Sequence, residues 1–158
     1  MLLAIFVLIA TILFFDQLSK VLILKYIGLN KSFVLLKNIL SITPALNTGG
    51  GFGILKNKTY LFIAIAAIAI VFLLYIIGDT LYIIYGKQKQ GVSRQRQIFL
   101  YSISMILAGA CGNLIDRIRV GAVIDFIDFK IWPVFNIADS CITIGSILLA
   151  WQLLKARK

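Results

Sequence analysis

The sequence predicts an all-α polytopic membrane protein with four transmembrane helices, and three observations predict it. Apolar residues make up 61% of the 158-residue chain and charged residues only 14%, outside the range of a soluble domain. Four runs approach the roughly 20 apolar residues that carry a helix across a ~30 Å hydrocarbon core. Fifteen of the sixteen Lys and Arg residues fall outside those runs rather than along one face. The net charge of +10 therefore points to anionic lipid headgroups and not to nucleic acid.

The chain reads as one integral membrane domain, residues 1–158, with spans at about 2–24, 60–77, 98–114 and 134–154. The first is interrupted late by "DQLSK", residues 16–20. Its start lacks a basic n-region and an A-x-A signal, so it is expected to remain as a membrane helix. The second is uncharged, with Asp79 just beyond it. The third ends in "AGACGN", where Gly109, Ala110 and Gly112 allow a neighbouring helix to approach closely. The fourth precedes the basic tail "KARK".

Between the first two spans, residues 31–54 are too short and too mixed to cross. Their β-branched and aromatic residues, Pro44 and a glycine cluster predict short strands and turns. Four spans put both termini and residues 86–97 on one side, and segments 25–58 and 116–133 on the other. The first side carries seven Lys and Arg residues and the second eight. The seven are denser and closer to span ends, which mildly favours a cytoplasmic location for the termini.

Cys111 and Cys141 lie inside apolar segments, form no CxxC pair and are accompanied by no histidine. They read as free structural cysteines, and neither a zinc site nor any other cofactor is expected. The glycines "GGGFG" are not followed by the Lys-Ser/Thr of a phosphate-binding loop.

The informative residues are the six acids, all aspartate. Asp16, Asp116, Asp125, Asp128 and Asp139 fall toward one membrane face, and only Asp79 toward the other. Ionisable groups at membrane depth are costly and mark functional sites. In "FNIADS", Asn136 and Asp139 are three apart and share a helix face; Asn113 and Asp116 in "GNLIDR" do the same. A structural role for the second motif pairs Asp116 with an arginine and uses Asn113 to tie helices together. Asp139 has no sequence-adjacent cation, so it needs a proton or a distant partner.

Two carboxylates meeting in a poorly solvated pocket cannot both ionise cheaply; one keeps its proton, an arrangement suited to activating water. A serine–lysine pair remains open on sequence, although consecutive Ser19 and Lys20 point about 100° apart on a helix. A non-enzymatic alternative is a small transporter or proton conduit that uses the same aspartates as a relay.

Five motifs in order, "DQLSK", "NTGGGFG", "GNLIDR", "VIDFIDF" and "FNIADS", resemble the bacterial lipoprotein signal peptidases (signal peptidase II), from about residue 16 to 146. The resemblance implies an aspartyl endopeptidase of the bacterial inner membrane that acts without a cofactor, here expected to work as a monomer among membrane lipids. Its substrates would be lipid-modified prolipoproteins, cut just before a diacylglyceryl-cysteine. It assigns the catalytic pair to Asp125 and Asp139. The supporting residues it implies are Asp16, Lys20, Asn47, Gly49, Phe52, Asn113, Asp116, Arg117 and Asn136. It further implies four membrane helices with a small periplasmic β-cradle, and both termini in the cytoplasm. Asp128 has no role in the family pattern and reads as a solvated rim residue near Lys130.

Three departures stand out. Gly50 and Gly51 replace the family's usual alanines, Ala110 and Cys111 occupy the small-residue cluster, and Asp139 follows Asp125 by only fourteen positions. The short connection leaves less chain to cover the site. Within the pair, Asp139 near a helix N-terminus is the expected carboxylate. Asp125, between Ile124 and Phe126, is expected to hold the proton.

Overall fold

The structure is a computed structural model, and it describes residues 1–50, 55, 57–87 and 93–156. The element order is α1 (Leu2–Tyr26), β1 (Phe33–Leu36), β2 (Leu40–Asn47), α2 (Thr59–Tyr82), α3 (Arg94–Val120), β3 (Val123–Asp128) and α4 (Ile137–Ala156). Among the described residues, four helices are long and apolar enough to cross a membrane. The fold class expected from sequence is the one observed.

Two helices outrun their apolar stretches. α2 continues into a π-helical turn at Ile83–Lys87. α3 begins at Arg94 and runs to Val120, so Asp116 and Arg117 lie inside the helix and not in a loop after it. Hydropathy reports where hydrocarbon ends, but a helix continues until its backbone is capped. α3 stops at Gly121, whose φ of 77° is the left-handed conformation that glycine adopts freely.

α3 is the central helix. Leu100, Ile103 and Leu107 cluster with Ile5 of α1 and Ile77 of α2, whereas the outward residues Phe6, Ile68, Val71 and Ile147 are exposed and apolar. Lipid is the solvent there, so apolar exposure carries no penalty. Small residues set the α3–α4 crossing. A Cβ at Gly109 would overlap the Ala138 carbonyl, and one at Gly145 would come within 2.7 Å of the Ser102 carbonyl. Buried Ser102 and Ser104 satisfy their hydroxyls on the carbonyls of Ile98 (2.8 Å) and Leu100 (2.7 Å) in their own helix.

The strands form one antiparallel sheet in the order β1-β2-β3, which joins the 31–54 region to the third connection. The β2–β3 register pairs Ala45 with Asp125 and Asn47 with Val123, and slips between Ile42 and Ala45. Pro44 falls in that slip; lacking an N–H, it suits a bulge better than a regular ladder position.

Candidate active site

Each site residue is delivered by a local feature. The reversal at Gly121 turns the chain straight from α3 into β3, and Thr59 Oγ1 fixes it by donating to the Gly121 carbonyl at 2.7 Å. β3 then places Asp125 beside β2. Ala45 is its direct partner, so Asn47, two residues on, lies on the same face at the diagonal position. Asn47 Nδ2 reaches Asp125 Oδ2 at 3.1 Å.

α4 brings the second carboxylate. Asn136 precedes the helix and caps it: its Oδ1 accepts the Asp139 backbone N–H at 2.8 Å. Its Nδ2 donates to Asp125 Oδ1 at 2.7 Å and to Asn113 Oδ1 at 3.0 Å. Asn113, from α3, donates to Asp139 Oδ1 at 2.7 Å. Each carboxylate is thus held by an asparagine, and the two asparagines are bonded to each other.

Asp125 and Asp139 line one open cleft of about 530 Å³, with Asn47, Asn113 and Arg117 on its polar side. Trp132, Val134, Phe135, Ile142 and Ile144 supply apolar walls. The short 125–139 connection contributes to those walls. Phe135 is tied back to Ile127 by N–H to carbonyl bonds of 2.8 and 3.1 Å in the two directions. Burial pushes the Asp125 carboxyl up to about 7; the Asp139 charge adds to this, and the Asn47 and Asn136 hydrogen bonds oppose it.

Arg117 donates to the Gly49 carbonyl at 3.1 Å and lies over the Phe62 ring, 5.2 Å from its centre. Gly49 N in turn donates to Asn47 Oδ1 at 3.0 Å. Asn47, Gly49 and Arg117 therefore form one chain of contacts that holds the β2 end against α3.

Behind the cleft lies a buried ionic group. Lys20 Nζ sits 2.8 Å from Asp16 Oδ2 and 2.7 Å from Asp116 Oδ2, and all three residues are at most 2% exposed. The partner that the sequence suggested for Asp116, an arginine, is replaced by Lys20. Arg117 follows Asp116 on the helix and points elsewhere, to Gly49. Asp16 Oδ1 accepts the Ala138 N–H at 3.0 Å, and Asp116 Oδ2 accepts the Ile124 N–H at 3.2 Å. The triad thereby fixes the backbone one residue before each cleft aspartate. Ser19 spends its hydroxyl on the Asp16 carbonyl at 2.8 Å, so it does not form a dyad with Lys20.

Phe52 lies outside the described residues. Asp128 sits on the rim, 2.6 Å from Lys130 Nζ, with Thr43 Oγ1 donating at 3.0 Å; its bonding to Lys130 holds its carboxyl below the usual range. Two contributors were not singled out from sequence. Gln17 Nε2 donates to Asp116 Oδ1 at 3.0 Å and to Asp16 Oδ2 at 3.1 Å; a polar residue beside Asp16 within the first motif was the available signal. Phe62, under Arg117, carried no signal in an apolar run.

A four-helix membrane fold whose cleft presents two carboxylates, one of them hard to ionise, has the parts of a membrane aspartic peptidase. Comparison with known proteins narrows the class. The family model for signal peptidase (SPase) II matches residues 8–155. A lipoprotein signal peptidase of Halothermothrix orenii is 38% identical over 154 residues, covering 98% of this chain and 97% of that one. A Staphylococcus aureus lipoprotein signal peptidase is 38% identical over 149 residues, covering 91% and 83%. A solved bacterial membrane enzyme superposes with a TM-score of 0.82 at 34% identity, covering 98% of this chain and 90% of that one. A second does so with a TM-score of 0.77 at 35% identity, covering 96% and 93%. The chain belongs to the signal peptidase II family, and is an aspartic endopeptidase of the membrane.

Proposed function

We propose that this enzyme removes the signal peptide from diacylglyceryl-modified prolipoproteins, cutting just before the lipidated cysteine, with Asp125 and Asp139 as the catalytic pair. The observation that carries the reading is the placement of both carboxylates on one apolar-walled cleft, each held by its own asparagine.

In this mechanism the pair flanks a water and shares one proton. Asp125, with its carboxyl raised to about 7, holds that proton and donates it to the oxyanion as the scissile carbonyl is attacked. Asp139, in the first turn of α4, lies at the positive end of the helix dipole and takes the proton of the attacking water. The two titrate as a unit. Asn113 and Asn136 spend their amide groups on the dyad and on each other, so they orient it rather than bind substrate. Arg117 has five N–H donors, with bonds to the Asn113 and Gly49 carbonyls, and lines the cleft. It is the residue suited to bind a substrate peptide carbonyl.

The apolar walls suit a substrate whose cysteine carries two acyl chains. Lipidation holds the scissile bond at the bilayer surface, where a cleft beside α4 receives it without extracting the lipid. The basic residues near the span ends favour termini in the cytoplasm, with the cleft toward the periplasmic side of the inner membrane.

The test uses purified protein and a diacylglyceryl-modified prolipoprotein. Wild type cleaves it before the modified cysteine, while Asp125→Asn and Asp139→Asn each lose at least about 10³-fold in rate, the scale seen when a member of a catalytic unit is removed. Ion or solute flux without cleavage would reject the reading in favour of a conduit.

A further inference from the structure

A second cleft, of about 250 Å³, opens between the start of α3 and the end of α4, lined by Arg94, Gln95, Ile98, Trp151, Gln152 and Lys155. It lies at the opposite end of this helix pair from Asp139. Arg94 precedes Asn113 by nineteen residues, about 28 Å of helix, close to the ~30 Å thickness of a hydrocarbon core. With Asn113 at one interface of the bilayer, the cleft would stand at the headgroups of the other.

Its chemistry is that of an anion site. Two cations line it, and among the described residues no carboxylate does. Lys155 Nζ sits 5.3 Å from the centre of the Trp151 ring, which anchors the ammonium at the mouth and places an indole at the depth where tryptophan is favoured. Gln152 Nε2 donates to the Gln95 carbonyl, joining the two helix ends. Its other amide atom, Oε1, is buried with no hydrogen-bond partner, and a buried acceptor left unpaired is costly. A ligand that fits must carry negative charge for Arg94 and Lys155, and a donor for Gln152 Oε1.

We propose that this cleft binds the headgroup of an anionic glycerophospholipid, with the phosphodiester between Arg94 and Lys155 and a headgroup hydroxyl donated to Gln152 Oε1. Basic pockets between membrane helices are suited to such headgroups. The bound lipid ties α3 to α4, the two helices that carry Asn113 and Asp139.

The test compares phosphatidylglycerol with phosphatidylcholine of the same acyl chains, each added to the delipidated enzyme in neutral detergent. Native mass spectrometry and thermal unfolding are the readouts. The expected result is one phosphatidylglycerol retained per chain with a raised Tm, and neither effect from phosphatidylcholine. Arg94→Gln with Lys155→Gln weakens retention at least tenfold. Lys31→Gln with Lys37→Gln removes the same charge from the opposite end and leaves retention unchanged. An equal concentration of sn-glycerol 3-phosphate in place of lipid gives neither retention nor a raised Tm, because its phosphate is not tethered by acyl chains beside the cleft. Equal retention of both lipids, equal loss in the two double variants, or the same retention and Tm shift from glycerol phosphate would each overturn the assignment. Arg94 and Lys155 are exposed, so the single variants are expected to fold and provide the same comparison if the double variant does not.

Discussion

Asn136 Nδ2 lies 2.7 Å from Asp125 Oδ1, while the carbonyl oxygen of the same side chain caps α4 at the Asp139 N–H, 2.8 Å away. One amide therefore positions both the Asp125 carboxyl on β3 and the helix turn that carries Asp139. In the proposed mechanism, where the two carboxylates flank a single water, this coupling comes from a residue that need not touch substrate.

The two duties of Asn136 are separable. Asn136→Ser keeps an oxygen to cap α4 but has no amide for Asp125, whereas Asn136→Ala loses both. A helix cap contributes about 0.5–2 kcal/mol, so Ala is expected to lower the Tm more than Ser. With Asp125 protonated, the lost bond is one between neutral groups, worth about 0.5–1.5 kcal/mol. Both variants should therefore lose roughly 2- to 10-fold in kcat. Full turnover by the Ser variant would reduce Asn136 to a cap.

The raised carboxyl of Asp125 predicts a pH response of stability in wild type that Asp125→Asn lacks. An unfolded aspartate ionises at its ordinary value of 3.8, whereas the folded one does so at about 7. Between those values the folded state keeps a proton that the unfolded state has released. Stability contributed by this group therefore falls as pH rises through the window, and levels off above it. Asp125→Asn cannot titrate, so its Tm should match wild type near pH 4 and exceed it above pH 7. In parallel, wild-type kcat/KM should fall as pH rises through about 7, when the proton donor is lost. A Tm difference that does not change with pH would contradict this account.

Gly112 keeps α3 clear of Asp16. An added Cβ would stand 2.6 Å from Asp16 Oδ2, whereas one at Gly78 of α2 would meet nothing within 4 Å. Gly112→Ala is expected to cost about 1–3 kcal/mol, the range for overpacking. It should also lower kcat, because Asp16 holds the first turn of α4 through Ala138. Gly78→Ala should be neutral or stabilising by up to about 1 kcal/mol. Chemical or thermal unfolding in detergent, with kcat measured alongside, distinguishes these outcomes.

Lys20 is the cation shared by two buried carboxylates. Lys20→Met leaves Asp16 and Asp116 uncompensated, and breaking a buried pair in this way costs about 3–5 kcal/mol. Adding Asp116→Asn removes one of the stranded charges, so the double variant should regain part of the loss. A double variant less stable than Lys20→Met alone would show that the triad does not act through charge balance.

The sequence by itself determined the four spans, the strand-forming segment and the inventory of polar residues at one membrane face. These are properties of composition and of spacing along single elements. It could also place Asn136 and Asp139 on one helix face, since three residues is a helical interval. It could not say that Lys20, and not an arginine, would meet Asp116, nor that Gln17 and Phe62 would join the polar groups. Those partners come from different helices, brought together only when α3 packs against α1 and α2. The crossings depend on how closely backbones approach at Gly109, Gly112 and Gly145, and on where α3 turns at Gly121. Apolar helices in lipid carry no amphipathic stripe to reveal their rotation, because the outward face is as apolar as the inward one. The motifs already set Asp125 and Asp139 apart by resemblance, but only tertiary packing placed them at the cleft with Asp16 and Asp116 behind it.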